Sequence, residues 1–296
     1  MRVLVLGGRG FIGRNIVAKL QAQGVQVLVA SRSADSTFQV RMQKMQQAAD
    51  WTRLLKNVDV VVNAVGILRE RKGEAYADIH TFGVESLADA CAQLGVRLIH
   101  ISAIGLTATA KSRFISSKYW GEQAILASGA NALIVRPSLL DGEGGYGAKW
   151  FRRLASWPLQ FVMQSKGLIA PLQVADLGEA LANLCVNPSD NLPNIIELGG
   201  NDVMTIPQYL AKLRAVNGLK PALQLAMPKF VVRLASHIFD MFAWTPLSFG
   251  HFELMQGYNV PAINLLPQLL GRKPSELGFI AKNQEAKLAG LIAVKA

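Results

Sequence analysis

Short apolar runs alternate with longer segments of helical period through the first half of the chain. The runs predict β-strands at residues 2–6, 25–30, 58–63, 97–102 and 133–136, and a weaker strand at 39–45. Two apolar helical stripes lie between them, formed by Ile12, Ile16 and Leu20 and by Val84, Leu87, Ala88, Cys91 and Leu94. Gly24 and Gly95 follow the stripes, at positions where a helix ends. This alternation predicts an α/β fold with a parallel sheet and helices on both of its faces.

The pattern changes after Pro137. A glycine-rich stretch at 142–147 leads into the aromatic and basic segment KWFRRLASWPLQFVM. Helical and strand periodicity return at 172–186 and 195–198, before a mostly helical tail from about residue 206. We therefore expect a doubly wound parallel-sheet domain over residues 1–147, completed by 168–200. A smaller, mostly helical carboxy-terminal domain would comprise 148–167 and 201–296.

The composition fits a folded chain with a sizeable core, because 51% of its 296 residues are hydrophobic. Only 17% are charged and the mean hydropathy is +0.25, so membrane spans have to be considered. The most apolar stretches are short or interrupted by Asn63, Asp176 and Glu179, a pattern that favours buried strands and helices. Asp176 and Glu179 are expected to form the polar edge of a helix.

The formal net charge of +11 predicts a surface that attracts anionic partners. No base-reading motif accompanies this charge, so no specific nucleic-acid partner is expected. The basic and aromatic character of the smaller domain favours an unidentified protein or a membrane surface as partner. Its apolar residues are nevertheless expected mainly in the packed core; they are Trp150, Phe151, Leu154, Trp157 and the apolar stripe within 231–242. An interfacial role, with Lys229 and Arg233 beside the stripe, is the alternative.

The cysteines and histidines favour ordinary packing roles. Cys91 and Cys185 stand alone in apolar surroundings, as buried thiols in a reducing compartment do. The histidines show no spacing suited to a metal; they are His80, His100, His237 and His251. The first strand begins at residue 2 and leaves no room for a signal peptide ahead of it. These features predict a cytoplasmic protein, with peripheral association at the inner face of the membrane as an extension of that prediction.

The segment VLVLGGRGFIGRNIVAKL carries the clearest candidate chemistry. It joins an apolar strand directly to an amphipathic helix through Gly7, Gly8, Gly10 and Gly13. Gly7 permits a tight turn, Gly10 lets the backbone approach a pyrophosphate, and Gly13 lets the helix pack closely on the strand. The amino-terminal N–H groups of the helix then face the phosphates. An ordinary turn is the alternative, but the order of strand, glycines and helix favours dinucleotide binding.

The end of the second strand indicates which dinucleotide is bound. An acidic residue there would accept a hydrogen bond from the 2′-hydroxyl of NAD(H). The sequence VLVASRS offers Ser31 and Arg32 instead, with Arg9 in the glycine loop. A guanidinium can hold a 2′-phosphate through paired, charge-assisted hydrogen bonds, so NADP(H) is preferred over NAD(H). The alternative is that both arginines are plain surface charges.

Several motifs together resemble the short-chain dehydrogenase/reductase superfamily, in its extended or atypical branch. Besides GGRGFIG they are VDVVVNAVG, HISAIG, FISSK, VRPSLLDG and LQVADLGEAL, and they extend over nearly the whole chain. The segment FELMQGYNVPAINLLPQLLGRKPSEL is similar to the carboxy-terminal pattern of the nucleotide-binding accessory subunits of respiratory complex I and their bacterial relatives. The resemblance implies a Rossmann fold, with further cofactor contacts at Phe11, Ile12, Asn63, Ala64, Val65, Gly66 and Pro137.

Catalytic members of the superfamily combine a Tyr-x-x-x-Lys pair with a serine. The matching positions here are Phe114, Lys118 and Ser102. Residues at i and i+4 share a helix face, so Phe114 stands beside Lys118 where the proton-donating phenol is expected. Tyr119 lies about 100° further round the helix and cannot easily replace it. Lys118 can still bind the nicotinamide ribose, and the alternative is a solvated helix residue. Ser102 is equally compatible with a catalytic role and with a strand-end hydroxyl.

Three functions follow from this pattern. The first is an NADP(H)-binding protein in which the nucleotide is structural or regulatory, linked to respiratory or quinone redox metabolism. The second is an active NADPH-dependent reductase, or an enzyme similar to sugar-nucleotide epimerases and dehydratases, with another proton donor and a small-molecule or quinone substrate. The third is a sensor whose affinity for its partner depends on the redox state of NADP(H).

Overall fold

A seven-stranded parallel sheet forms the centre of the molecule. The computed structural model describes residues 1–163, 167–188, 191–228, 231 and 249–277. The strands of the sheet are β1 (Arg2–Leu6), β2 (Gln26–Ser31), β3 (Phe38–Gln39), β4 (Val60–Asn63), β5 (Arg97–Ile101), β6 (Ala132–Pro137) and β10 (Ile195–Leu198). Their spatial order is β10-β6-β5-β4-β1-β2-β3, and every neighbouring pair is parallel. The order reverses between β1 and β4, which opens a crevice at the carboxyl ends of these two strands.

Helices cover both faces of the sheet. On one face, α1 (Phe11–Ala22) packs against α6 (Val174–Val186). On the other face lie α2 (Ala48–Leu55), α3 (Gly83–Leu94) and α4 (Arg113–Ala127), which contribute Trp51, Leu87 and Ile125 to a second apolar core. A π-helical turn, Asp78–Phe82, runs directly into α3. The result is a three-layer α/β/α arrangement, as the apolar pattern predicted.

The remaining elements follow β6. A short parallel pair joins β7 (Leu140–Asp141) to β9 (Leu172–Gln173), and a second joins β8 (Leu159–Met163) to β11 (Leu223–Met227). Helices α5 (Tyr146–Ser156) and α7 (Ile206–Val216) pack together, with Phe151 against the buried Tyr209. Two further helices, α8 (Phe249–Gln256) and α9 (Leu266–Leu270), lie in the last described stretch of the chain.

The carboxy-terminal stretch packs back onto the sheet. The Asn259 side chain donates to the Ile104 carbonyl at 3.0 Å, and the Ser138 hydroxyl bonds to the Asn259 side chain at 2.9 Å. Further on, Arg272 forms an ion pair of 2.8 Å with Asp176, in the first turn of α6. Asp176 and Glu179 both bond to Arg272, so the polar edge expected for this helix binds the end of the described chain.

Most predicted strands have their observed counterparts within two residues, but one prediction was wrong for most of its length. The strand expected at 39–45 is limited to Phe38–Gln39, and Met42–Lys44 is a 3-10 turn. β3 pairs only with β2, and the buried Met42 side chain then turns inward to the core containing Trp51. Leu94 of the apolar stripe is exposed. The sequence pattern did not predict β8 and β11.

Other expectations concern the cysteines, the histidines and the membrane. Cys91 and Cys185 are buried free thiols, and burial raises the pKa of each to about 12. His237, Lys229, Arg233 and most of the 231–242 stripe lie outside the described residues, as do the His251 side chain and the tail after residue 277. Among the described helices, none is both long enough and apolar enough to cross a membrane.

Candidate functional site

The glycine loop lies between the end of β1 and the start of α1. Gly7 adopts a φ of +74° and donates its N–H to the Ala30 carbonyl at 2.8 Å, which joins the loop to β2. A Cβ at Gly13 would lie 2.2 Å from the Gly7 carbonyl oxygen, so only glycine permits this contact. Helix α1 begins after Gly10 and no side-chain hydrogen bond caps it. Its first N–H groups can therefore bind the phosphates of a ligand.

A cleft of about 350 Å³ extends from this loop. The glycine loop and the carboxyl ends of β1 and β2 line it, together with residues from the segments that follow β2 and β4. Its apolar side includes Met42, Trp51 and Ile79. The fully buried Trp51 is held by a hydrogen bond of 2.9 Å from its ring N–H to Ser86. The cleft lies at the point where the strand order reverses, the place where open α/β sheets bind ligands.

Each arginine at the rim of the cleft is paired with a carboxylate. Arg9 bonds to Asp35 at 2.8 Å, and both side chains are largely exposed. Arg32 bonds to Glu74 at 2.7 Å; Glu74 is mostly buried and lines the cleft. The Ser31 hydroxyl lies 2.6 Å from that of Ser36 and accepts the Ser33 N–H at 3.0 Å. Two guanidinium groups and a serine thus surround the end of β2.

The inner end of the site begins with Asn63 and His100, at the ends of β4 and β5. The Asn63 amide lies 3.1 Å from Nδ1 of His100, and its oxygen accepts the Val65 N–H at 3.0 Å. Both side chains are buried. Burial, with the positive charge of Lys118 nearby, lowers the pKa of His100 to about 3, so its ring is neutral. Asn63 therefore shapes the turn after β4 through a neutral hydrogen-bond network.

Lys118 lies next to this network, on α4. A Cβ built on Gly66 would lie 3.9 Å from the Lys118 Nζ and 3.7 Å from the His80 Nε2, so all three residues meet at one point. Burial lowers the pKa of Lys118 to about 8, although Glu122 acts in the opposite direction. Burial, Lys118 and His100 lower the pKa of His80 well below its ordinary value. A lysine with this pKa can bind a hydroxyl or donate a proton near neutral pH.

His80 also holds the turn that lines the cleft. Its Nε2 accepts the Ile67 N–H at 3.1 Å, and its Nδ1 lies 3.1 Å from the Ser117 hydroxyl. Since the ring is neutral and Nε2 accepts, Nδ1 carries the proton. His80 lies in the π-helical turn, an uncommon local geometry that often occurs at functional sites.

Phe114 is buried in an aromatic cluster. Its ring packs edge-on against Tyr76 and His80, with centroids 5.6 and 5.8 Å apart. The Tyr76 hydroxyl donates to the Leu68 carbonyl at 2.9 Å. Tyr119 instead packs on Trp120, on another side of α4. Phe114 and Lys118 thus share one helix face, and Phe114 brings no hydroxyl to it.

Ser102 follows β5 and is buried. Its backbone N–H donates to the Val135 carbonyl at 2.8 Å, which fixes its position. Its hydroxyl, in contrast, has no hydrogen-bond partner within the described part of the chain. A buried hydroxyl without a partner costs free energy, and a ligand or water can satisfy it.

Comparison with known sequences agrees with this geometry. The sequence signature of the NAD dependent epimerase/dehydratase family matches residues 3–157, more than half of the chain. The chain belongs to this family. The epimerase/dehydratase family binds nicotinamide dinucleotides, and its signature begins with β1 and ends beyond α5.

Two curated relatives extend the comparison over most of the chain. The sequence is 25% identical, over 82% of this chain and 71% of the relative, to the mitochondrial NADH dehydrogenase (ubiquinone) 1 alpha subcomplex subunit 9 of Dictyostelium discoideum. It is 26% identical to a ceramide reductase of Caulobacter vibrioides, over 83% of this chain and 79% of the relative. These similarities confirm the resemblance to atypical reductases and complex I subunits.

A solved structure of the same fold completes the comparison. A nucleoside-diphosphate-sugar epimerase from Staphylococcus aureus superposes with a TM-score of 0.74, covering 94% of this chain and 98% of that one. The sequence identity is 16%, so this likeness concerns the fold alone.

The predicted cofactor residues of this epimerase/dehydratase family member fall into two groups, according to whether they line the cleft. Those that line the cleft are Gly7, Arg9, Gly10, Ser31, Arg32, Ala64, Val65 and Gly66. The others lie beneath or beside it. Gly8 packs under the loop against Val29, and Phe11 packs under the glycine-rich stretch at Gly142 and Gly145. Ile12 and Gly13 lie in α1, and Pro137 ends β6.

Sequence reasoning missed a second group of cleft residues. They are Val40, Met42, Gln43, Trp51, Ile67, Glu74 and Ile79. They lie on segments between the strands, where no short motif marks them. The helical period of 48–55 indicates that Trp51 is buried, but nothing in the sequence indicates that Glu74 reaches Arg32.

Proposed function

We propose that this chain binds NADP(H) in the cleft and uses the nucleotide as a structural or regulatory ligand. The observation that carries this proposal is Phe114, which lies on the face of α4 beside Lys118 and is enclosed by aromatic side chains. The residues that would hold a dinucleotide are assembled, whereas the phenol of a Ser-Tyr-Lys site is missing. We therefore expect the chain to bind the cofactor without carrying out ordinary carbonyl reduction.

The cofactor would lie across the carboxyl ends of β1 and β4. The uncapped start of α1 suits the pyrophosphate, and Ser31 with Arg32 and Arg9 suits a 2′-phosphate. Lys118 would hold the hydroxyls of the nicotinamide ribose, and the Ser102 hydroxyl would gain the partner it lacks among the described residues. When bound, NADPH supplies a hydride. No proton from residue 114 accompanies it.

The proposal is tested by single-turnover oxidation of bound NADPH. The native chain and Phe114→Tyr are mixed with aldehydes and sugar-nucleotide ketones, and the loss of NADPH fluorescence is followed. We expect little turnover by the native chain. The tyrosine variant should gain carbonyl reduction, because general acid catalysis contributes roughly 10²- to 10⁴-fold in rate. Phe114→Leu, which also lacks a hydroxyl, is the matched control. Rapid carbonyl reduction by the native chain that Phe114→Tyr leaves unchanged would contradict the proposal.

An active reductase with another proton donor is the second candidate. The lowered pKa of Lys118, about 8, favours it, because such an ammonium group can donate a proton near neutral pH. The ceramide reductase similarity agrees with this candidate. Carbonyl reduction by the native chain that falls as pH rises through about 8 would support Lys118 as the donor. A redox sensor is the third candidate, and a difference in partner binding between NADPH and NADP⁺ distinguishes it from the first.

The chain's partner is proposed to be an anionic membrane surface or a protein associated with it. The name of the Dictyostelium relative links that protein to a ubiquinone-reducing assembly, and we extend a respiratory or quinone role to this chain on that basis. Part of the predicted smaller domain presents an apolar face. Leu223 pairs with Leu159, and Leu225 pairs with Phe161, and all four side chains are exposed. The net charge of +11 adds attraction for anionic lipids.

A further inference from the structure

Glu74 lies on a segment that spans the whole dinucleotide site. Residues 67–76, here called the strap, begin at Ile67, four residues after the end of β4, and end at Tyr76, just before the π-helical turn. A backbone bridge between Arg71 and Glu74 folds the strap on itself. At its outer end Glu74 bonds to Arg32 at 2.7 Å. At its inner end Ile67 bonds to His80, and Tyr76 packs on Phe114. One short segment therefore contacts both the rim of the cleft and the inner end of the site.

The exposed fractions of the Arg32 and Glu74 side chains show which of the two is held in place by the protein. The Arg32 side chain is 60% exposed, whereas that of Glu74 is 13% exposed. Glu74 thus reaches from the wall of the cleft to a guanidinium at the surface. Arg32 is also the residue placed to receive a 2′-phosphate. A phosphate bound there would come within a few ångströms of the Glu74 carboxylate.

The two forms of the cofactor differ in how they meet this carboxylate. A 2′-phosphate carries about −1.5 to −2 charges at neutral pH, and it is repelled by an ionised glutamate. It must displace Glu74 from Arg32 or bind beside a like charge. The 2′-hydroxyl of NADH is neutral and can donate a hydrogen bond to the carboxylate while the ion pair stays intact.

We propose that Glu74 is a specificity-determining residue that competes with the cofactor's 2′-phosphate for Arg32, and that NADPH, unlike NADH, releases the strap from that arginine. This inference rests on the proposed binding of NADP(H) in the cleft. It assigns the preference for NADPH to a balance: Arg32 and Arg9 raise it, and Glu74 lowers it. Because the strap also contacts His80 and Phe114, the 2′ position is physically connected to the nicotinamide end of the site.

Calorimetric titration of the full chain with NADPH and with NADH tests the assignment. Glu74→Gln removes the charge but keeps an oxygen that can accept from the 2′-hydroxyl. We expect it to tighten NADPH binding by about five- to twentyfold, as expected for repulsion at a partly screened site. NADH binding should stay within about twofold. Glu70→Gln is the matched control, because Glu70 lies on the same strap but pairs with Arg113. It should leave both affinities unchanged.

Arg32→Ala separates this inference from the proposed function. Both the proposed function and the role of Glu74 are supported if the native chain prefers NADPH, Arg32→Ala removes that preference and Glu74→Gln increases it. If Arg32→Ala removes the preference but Glu74→Gln behaves like Glu70→Gln, the role of Glu74 is overturned and the NADP(H) assignment remains. In a third outcome the native chain binds both cofactors equally, Glu74→Gln creates a preference for NADPH, and the double variant Arg32→Ala/Glu74→Gln loses that preference. The role of Glu74 is then supported, whereas the native preference for NADP(H) is overturned.

Hydrogen exchange gives a readout that does not depend on affinity. Amides of residues 68–76 should exchange faster in the NADPH complex than in the NADH complex, because the Arg32 contact is released. The Glu74→Gln variant, which lacks the ion pair with either cofactor, should show no such difference. Equal exchange in the two complexes of the native chain would contradict release of the strap.

Discussion

Three basic side chains, Lys118, His80 and His100, meet at the inner end of the cleft with lowered pKa values. Burial is the main cause for each. The histidines are neutral, so they can hold Asn63 and Ile67 by hydrogen bonds without adding charge next to Lys118. Of the three, only Lys118 remains mostly charged at neutral pH. The protein keeps a poorly solvated cation here, which costs stability unless a bound ligand interacts with it.

Replacing this lysine should stabilise the cofactor-free chain. Lys118→Met keeps the apolar stem and removes the charge, so we expect the free energy of unfolding at pH 7 to rise by about 1 to 3 kcal/mol. Between pH 8 and 10.5 the unfolded chain holds a proton on Lys118 that the folded chain has lost, so native stability rises with pH in this window. The variant should lack that rise, and its advantage should disappear above pH 10.5.

Urea unfolding at several pH values measures this difference. Lys111→Met, at an exposed lysine just before α4, should change the stability by less than about 0.5 kcal/mol. Lys118→Met should also weaken NADPH binding. A lower free energy of unfolding at pH 7 in Lys118→Met, with Lys111→Met unchanged, would contradict the cost assigned to the buried ammonium group.

At the scale of elements, the close approach of α4 to the π-helical turn places Lys118 near His80. A Cβ at Gly121 would lie 1.9 Å from the His80 carbonyl oxygen. No rearrangement of a side chain can relieve that contact, because the neighbour is backbone. The absence of a side chain at Gly121 therefore sets the distance between the helix that carries Phe114 and Lys118 and the turn that carries His80.

Gly121→Ala should separate these two elements. We expect it to destabilise the protein by about 1 to 3 kcal/mol, the usual cost of overpacking, and to weaken cofactor binding. Gly147→Ala in α5 is the matched control, because a Cβ there meets no atom within 4 Å. Alanine favours helix over glycine by up to about 1 kcal/mol, so this variant should be neutral or more stable. Thermal unfolding of both proteins makes the comparison; equal stability of the two would contradict the packing argument.

The elements differ in how well their sequences predict them. The strands at the centre of the sheet are buried on both faces, so β1, β4 and β5 are mostly apolar and can be recognised from the sequence. β8 and β11 form an isolated pair with one exposed apolar face, and their patterns match no common template. β3 is an edge strand of two residues. The glycine loop was predictable because local geometry requires it, whereas the Arg32–Glu74 pair joins residues 42 positions apart and depends on the folded strap.

At the scale of the whole molecule, the end of the described chain holds the sheet and the later elements together. Asn259 connects the segment after β5 to the segment after β6, and Asn264 bonds to the Gly199 backbone beyond β10. Arg272 links this stretch to α6. Residues far apart in sequence thereby enclose the carboxyl edge of the sheet at β5, β6 and β10, on the side away from β2 and β3. This stretch lies beyond the family signature, which ends at residue 157.

The whole-molecule charge and the β8–β11 face predict binding to anionic vesicles. Full-length protein should sediment with vesicles that contain phosphatidylserine, and added salt should weaken this progressively, because exposed charges are screened beyond about 10 Å at 0.1 M salt.

Phe161 is 60% exposed on that face. Phe161→Glu removes an apolar contact of roughly 1.5 to 3 kcal/mol, which should lower vesicle affinity about tenfold or more. Phe82→Glu makes the same change at another exposed phenylalanine, in the π-helical turn, and should lower affinity only through its charge. Equal losses in the two variants would show attraction by net charge without contact through β8 and β11. Failure of the native protein to sediment even at low salt would exclude the membrane surface as partner and leave an acidic protein in its place.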